Sequence, residues 1–172
     1  MILAGRLLIA LTFITFFVAE ISGCKRAEPN TGSSDQVDVA KRAETAFGIE
    51  LPAGVTNVFF FEQRAMTYWA FLRFDLSAHD QITFLADTPD GMPSAESLKR
   101  NSDVINVMVT SGKKLPWWQV SQLIEPLASE RSGNKIIDSR PWHWTVRMCV
   151  ASVDTNTQRV YLMRTEEAGS MP

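Results

Sequence analysis

The chain has few side chains that could transfer protons at neutral pH. His79 and His143 are its two histidines, and histidine is the side chain whose ordinary pKa lies closest to neutrality. His79 falls in the first turn of a predicted helix, where a solvated surface position is expected. His143 stands between two tryptophans at a predicted strand start, where packing at the edge of the core is expected. We therefore predict no catalytic residue.

Two short combinations resemble functional motifs but lack the partners that the chemistry needs. Asp75, His79 and Asp80 straddle a predicted strand–helix junction. Asp80 is better explained as part of the helix cap, so the group lacks a third strong metal ligand at a known spacing. Residues 111–114, SGKK, match the S-x-x-K pattern, but the S-D-N and K-T-G elements that accompany it are absent. We expect a solvated basic turn there, and neither a metal nor a cofactor.

Composition limits the class of partner. The chain has 172 residues, of which 45% are hydrophobic and 21% charged, which suits one globular domain preceded by a leader. Its 17 basic and 19 acidic side chains give a formal net charge of -2. This balance supplies no overall field that would gather nucleic acid, so a nucleic-acid partner is not expected.

One cysteine has a spacing that predicts lipid chemistry. Arg6 precedes an apolar run over residues 7–19, which is too short to span a membrane and long enough for a secretory signal. The run leads to Ile21-Ser22-Gly23-Cys24. This segment resembles the lipobox of bacterial lipoproteins, in which the cysteine thiol receives a diacylglycerol and a signal peptidase cuts just before it.

The resemblance implies residues 1–23 as signal peptide, a mature chain that starts at lipidated Cys24, and a membrane partner through that lipid. Lys25 stands where an inner-membrane retention aspartate would be, which favours the outer membrane. The alternatives are an ordinary secretory signal cut elsewhere, or an uncleaved anchor. The polar residues 24–37 are predicted to be a flexible tether. Cys149, in an apolar strand, is predicted to be a buried structural thiol.

Hydrophobic periodicity predicts an α+β domain over residues 38–166, with an antiparallel sheet built from two hairpins and packed with about three helices. Residues 167–172 are predicted to be a disordered tail. The predicted helices start at Asp38, after the cap Ser77, and at Pro116. The predicted hairpin strands cover residues 57–63 with 66–76, and 142–153 with 159–165. Residues 128–135 are predicted to be a loop, and the apolar run 104–109 is unassigned.

The first predicted hairpin is apolar on both faces. Alternation along its second strand places Tyr68, Leu72, Phe74 and Leu76 on one face and Trp69, Phe71 and Arg73 on the other. Either other elements cover both faces, or Trp69, Phe71 and Arg73 form an exposed binding surface, which we call the aromatic patch, since aromatic and arginine side chains dominate binding hot spots. Trp118 would join it, because Trp117 already belongs to a predicted apolar helix stripe.

The segments ELPAGVTNV, LRFDLSAHD and RVYLMR together resemble small bacterial lipoproteins of unassigned function. This resemblance implies a lipid-anchored cell-envelope protein that acts as a non-enzymatic binding or accessory module, with a protein partner in the envelope. Two alternatives remain open. One is an immunity or inhibitor protein against a toxin or lytic enzyme, and the other is a small envelope hydrolase.

Overall fold

The computed structural model describes the backbone of residues 33–87 and 89–169, and the side chains of residues 37–87 and 89–169. Five antiparallel strands form one sheet, namely β1 (Thr56–Arg64), β2 (Thr67–Ser77), β3 (Leu127–Ile137), β4 (Arg140–Ser152) and β5 (Thr157–Ala168). Their order in space is β1-β2-β5-β4-β3. The last strand of the chain therefore lies at the centre of the sheet, hydrogen-bonded to β2 and β4.

Three α-helices pack on this sheet: α1 (Ser33–Phe47), α2 (Ala78–Ala86) and α3 (Ser102–Ser111). The sequence sets the start of α2 as predicted, because the Ser77 hydroxyl accepts a hydrogen bond from the Asp80 backbone N–H at 3.0 Å. Asn101 caps α3 in the same way, through the Val104 backbone N–H at 3.3 Å. The predicted α+β fold with about three helices is confirmed.

Both faces of the sheet are covered. The α1–α2 face is packed by alternate residues of three strands, which are Ala70, Leu72, Phe74 and Leu76 of β2, Val146, Met148 and Val150 of β4, and Val160 and Leu162 of β5. The α3 face is packed by Phe71, Cys149, Tyr161 and Met163, which meet Val104 and Met108 of α3 together with Trp118 and Val120 of the segment that follows it. The chain thus has two separate apolar cores.

Several predicted elements need correction. The predicted loop 128–135 lies within β3, so the sheet consists of one hairpin and a three-stranded β3–β4–β5 unit rather than two hairpins. The helix predicted from Pro116 is reduced to a 3₁₀ turn at Val120–Gln122. The unassigned run 104–109 is the body of α3. The tether and tail boundaries also shift, since α1 begins at Ser33 and β5 ends at Ala168.

Two hairpin turns lie at the same end of the sheet. The β1–β2 turn precedes Thr67, which pairs with Glu167 of β5. The β3–β4 turn precedes Trp142, which pairs with Ala168 of β5. Asp138 and Ser139 form the second turn with φ angles of 50° and 63°, the positive values that a tight two-residue hairpin requires. We call this end of the domain the hairpin end; the β4–β5 turn lies at the opposite end.

The predicted signal peptide, Cys24 and residues 25–32 lie outside the described residues. Among the helices that are described, none combines the length and apolar character needed to cross a membrane.

Candidate binding cleft

The predicted aromatic patch lies against the second core. Phe71 is 4% exposed and Arg73 8% exposed, because α3 and the segment after it cover this face of β2. Phe71 packs edge-to-face on Trp118 with 5.1 Å between ring centroids, and Trp69 stacks on Phe71 at 6.1 Å. Trp69 keeps partial exposure. Of the two alternatives left open by the sequence, the covered one therefore holds for Phe71 and Arg73, whose side chains hold the cover in place.

The two neighbouring tryptophans have the opposite roles to those predicted. Trp118 is buried, and its indole N–H donates to the Met108 backbone carbonyl at 2.7 Å. Trp117 is only partly buried and stacks on Phe59 with 5.6 Å between centroids. The backbone carbonyl of Trp117 also accepts a hydrogen bond from Arg73 at 2.9 Å. The Pro116 segment is thus fixed by indole and guanidinium contacts rather than by a regular helix.

A polar cluster lies beneath this cover. Asp75 accepts hydrogen bonds from Arg159 Nε at 2.6 Å and Arg159 Nη2 at 2.8 Å, and from the Asn57 amide at 2.9 Å. Burial acts to raise the pKa of Asp75, but the hydrogen bonds from Arg159 and Asn57 and the charges of Arg159 and Arg73 outweigh it and hold the pKa below its ordinary value. Asp75 is therefore ionised and partly neutralises two guanidinium groups.

Two buried polar atoms in the same cluster, the Tyr161 hydroxyl and Arg73 Nε, make no hydrogen bond of standard geometry among the described residues. Arg159 and the Gln119 backbone nevertheless lie close enough to the Tyr161 hydroxyl to interact with it. Burial raises the pKa of Tyr161, while the positive charges of Arg73 and Arg159 act in the opposite direction. Burial and the charge of Arg159 lower the pKa of Arg73. The hydrogen bonds of this cluster join β1, β2 and β5, which are the strands of Asn57, Asp75 and Arg159. The structure therefore gives the cluster a packing role.

The remaining chemical candidates lie apart from one another. His79 is exposed, as predicted, and His143 is also exposed rather than packed at the core edge. His143 contacts Asn134 and Thr145, whose side chains are neutral. Cys149 is fully buried, as predicted, and burial raises its thiol pKa to about 12. Within the described residues, no group of three or more His, Cys, Asp or Glu side chains could hold a metal ion.

A cleft of about 780 Å³ lies between α1 and the hairpin end of the sheet. Its lining combines charged, aromatic and small side chains from α1 and all five strands, which are Asp38, Lys41, Arg42, Thr45, Ala46, Glu62, Arg64, Ala65, Tyr68, Lys135, Ile137, Trp142, Arg164 and Glu166. Five of these are basic and three acidic, which leaves a local excess of two positive charges (5 - 3 = 2). The cleft thus differs in sign from the chain as a whole.

Glu166 organises the floor of the cleft. It accepts a hydrogen bond from Lys135 at 2.7 Å and another from Arg164 Nε at 2.8 Å. Arg164 also donates to the Ala46 backbone carbonyl at 2.8 Å and so ties β5 to the end of α1. Burial acts to raise the pKa of Glu166, but the hydrogen bonds and charges of Lys135 and Arg164 hold it below its ordinary value. The floor is therefore a preformed network of ionised groups.

The wall of the cleft beside β1 keeps free cationic groups. Arg42 pairs with Glu62 at 3.2 Å, and Glu62 also accepts from the Tyr68 hydroxyl at 3.3 Å. Lys41 and Arg64, by contrast, have no carboxylate within 4.0 Å among the described side chains. The Arg64 guanidinium lies over the Tyr68 ring, 5.1 Å from its centroid. This wall can donate hydrogen bonds to an anionic or polar ligand without first breaking an ion pair.

Sequence reasoning did not find this cleft, because its residues share no local motif. They lie on six elements, from Asp38 in α1 to Glu166 in β5, and only the sheet order brings them together. The one local signal is the run Arg64-Ala65-Met66 between two apolar strands. This run places a cation and an apolar side chain at a tight turn.

The fold and cleft define the protein as an α+β domain with a charged, aromatic-lined concave surface at one end of an antiparallel sheet. Comparisons with protein-family models, with curated proteins and with solved structures give no match.

Proposed function

We propose that the protein is a lipid-anchored cell-envelope module, held in the outer membrane through Cys24, that acts by binding and not by catalysis. Support for the anchor comes from the sequence Ile21-Ser22-Gly23-Cys24 behind an apolar segment of signal-peptide length. Two or three acyl chains on one cysteine would hold the protein at the membrane essentially permanently, since each buried methylene contributes about 0.8 kcal/mol.

The cleft carries the binding part of the proposal. Lys41 and Arg64 stand in a concavity, without carboxylate partners among the described side chains, next to the partly buried rings of Tyr68 and Trp142. Concave surfaces that combine aromatic side chains with a few convergent charged groups are the usual form of ligand sites. The ligand that this cleft suits best is an envelope component with anionic or polar groups.

The anchor is tested by the intact mass of the mature protein purified from membranes, beside a Cys24→Ser variant. We expect a mass equal to residues 24–172 plus two or three acyl chains, and we expect the variant to lack that lipid. A soluble, unlipidated wild-type product would contradict the lipid anchor.

The cleft is tested by introducing a photo-crosslinking amino acid at Ala65, which lines it, and at Ala95, an equally small exposed residue outside it. Irradiation of intact cells should give an adduct from position 65 and little from position 95. The double variant Lys41→Glu, Arg64→Glu should reduce the adduct at position 65. Equal adducts from both alanines, unaffected by the charge change, would show that the cleft is not a binding site.

A further inference from the structure

Exposed apolar side chains collect at the hairpin end. Met66 is 93% exposed in the β1–β2 turn, and Ile136 is 81% exposed beside the β3–β4 turn. Ile137, next to Ile136, and Val37 on α1 are 39% and 71% exposed. We call these four residues the apolar rim. Single exposed aliphatic residues are normal on a protein surface, but these come from three separate segments at one end of the domain.

The sheet register places the rim around a common centre. The two hairpin turns flank the end of β5, because Thr67 pairs with Glu167 and Trp142 pairs with Ala168. The first half of α1 lies beside them, since Asp38 lines the same cleft as Ile137. The rim therefore lies along the hairpin end beside the charged cleft, with Ile137 lining the cleft and Ile136 on the opposite face of β3.

Chain length ties this end to the anchor. Ser33 begins α1, and it follows Cys24 by nine residues (33 - 24 = 9). A fully extended chain covers at most about 3.6 Å per residue, so the start of α1 can stand no more than about 32 Å from the lipidated cysteine. The element that borders the cleft is thus the first one that the anchor reaches.

Charge and side-chain type fit a phospholipid surface. Met66 and Ile136 project apolar atoms at the hairpin end, and the neighbouring cleft has its excess of two positive charges. Its cations Lys41 and Arg64 have no carboxylate within 4.0 Å among the described side chains. Apolar side chains beside Lys and Arg are the combination by which surface segments bind the headgroup layer, and basic side chains near an anionic leaflet each strengthen binding roughly fivefold.

We propose that the apolar rim rests in the headgroup layer of the membrane that carries Cys24, with the cleft opening onto phospholipid phosphates. This proposal rests on the proposed lipid anchor and deepens the proposed function, because it names the ligand class of the cleft. The opposite end of the sheet, with the polar β4–β5 turn, then faces away from the bilayer.

The test measures which end of the lipidated protein contacts lipid. Mature protein carrying Met66→Cys or Asn156→Cys is labelled with a fluorophore; Cys149 is buried and Cys24 carries the lipid thioether. Each is reconstituted into vesicles of phosphatidylethanolamine and phosphatidylglycerol that contain a headgroup-nitroxide lipid. The two positions lie at opposite ends of the sheet, about 33 Å apart by strand length. We expect several-fold stronger quenching at position 66 than at position 156.

A matched pair of variants tests the role of the rim. Ile136→Ser should lower quenching at position 66, and Ile124→Ser should leave it unchanged, since Ile124 is as exposed, at 83%, but lies outside the rim. Replacing phosphatidylglycerol by phosphatidylcholine should also lower quenching at position 66. Circular dichroism of each variant checks that the fold is retained.

Quenching that is equal at positions 66 and 156 would overturn the proposal, as would equal effects of the two isoleucine variants. A label at position 66 that is shielded in native membranes but unquenched in pure lipid vesicles would assign the rim to a protein instead, and would overturn it too. Intact mass of the same preparation separates these results from failure of the anchor: lipidated protein with an unquenched rim refutes this inference alone.

Discussion

Asp75 and Arg159 face each other across the central strands β2 and β5, joined by two parallel hydrogen bonds of 2.6 and 2.8 Å. The Asp75 side chain is 3% exposed. Its negative charge compensates the positive charges of the buried Arg73 and the partly buried Arg159 guanidinium groups. Removing one member of a buried pair costs more than the pair itself contributes, since the other charge is left without compensation.

Asp75→Asn should therefore destabilise the domain by about 3–5 kcal/mol. Urea unfolding followed by circular dichroism measures the change, with Asp90→Asn as the control at an exposed aspartate. A loss for Asp75→Asn no greater than that of the control would show that the pair is not required for stability.

The same carboxylate predicts a pH dependence. The pKa of Asp75 is lower in the folded protein than its ordinary value, so its contribution is fully present above an unfolded pKa of about 3.9 and is lost as the pH falls through the folded value. The difference in unfolding free energy between wild type and Asp75→Asn should be constant from neutral pH to about pH 5 and shrink below about pH 4. A difference that is as large at pH 2 as at neutral pH would contradict this linkage.

Tyr161→Phe should be neutral or slightly stabilising. The Tyr161 hydroxyl is buried and makes no hydrogen bond of standard geometry among the described residues, only looser interactions with Arg159 and the Gln119 backbone, so its removal loses little bonding. Tyr68→Phe is the comparison, because it deletes the 3.3 Å hydrogen bond to Glu62 and should cost about 0.5–1.5 kcal/mol. If urea unfolding gave Tyr161→Phe the larger loss, the hydroxyl would have to be bonded in solution.

Gly112→Ala should displace Trp118. A Cβ at residue 112 would lie 1.9 Å from Trp118 Cδ1, so the indole would have to leave its hydrogen bond to the Met108 carbonyl. Overpacking of this kind costs about 1–3 kcal/mol. Near-ultraviolet circular dichroism should report the moved indole, whereas Gly54→Ala, whose nearest contact is a flexible carboxylate at 3.2 Å, should leave the spectrum unchanged.

Cys149 should be inert to thiol reagents in the folded protein. Its side chain is fully buried and its thiol pKa is raised to about 12, while the thiolate is the reactive form. A maleimide or disulfide reagent at pH 8 should modify it only as urea unfolds the domain, and Met66→Cys in the same protein should react at once. Fast modification of Cys149 in native protein would contradict the burial of this strand.

The sequence was most informative where one residue decides a local geometry. The Ser77 cap fixed the start of α2, and the alternation along β2 correctly assigned its side chains to two faces. Alternation does not say what covers each face, however. That is why the sequence left open whether Arg73 is exposed, whereas in the structure it donates to the Trp117 carbonyl and is buried.

The missed elements are those with weak local patterns. β3 contains SERSGNK, a polar run that is typical of a loop. It forms a strand because eleven residues of β4 pair with β3 in register. Pro116 suggested a helix start, but the stacking of Trp117 on Phe59 and the burial of Trp118 hold that segment irregular. Tertiary contacts override local propensity in both cases. The cleft could not be predicted from the sequence, because only the strand order brings its residues together.

The central position of β5 also constrains the order in which the molecule can be made. β2 is synthesised before β5, yet its inner edge is hydrogen-bonded along its whole length to residues 157–167, and Ser77 precedes its partner Thr157 by 80 residues (157 - 77 = 80). Until β5 has been made, the first hairpin has an open apolar edge, and an open edge is a template for wrong pairing. The sheet of the nascent chain therefore stays incomplete until its central strand has been synthesised.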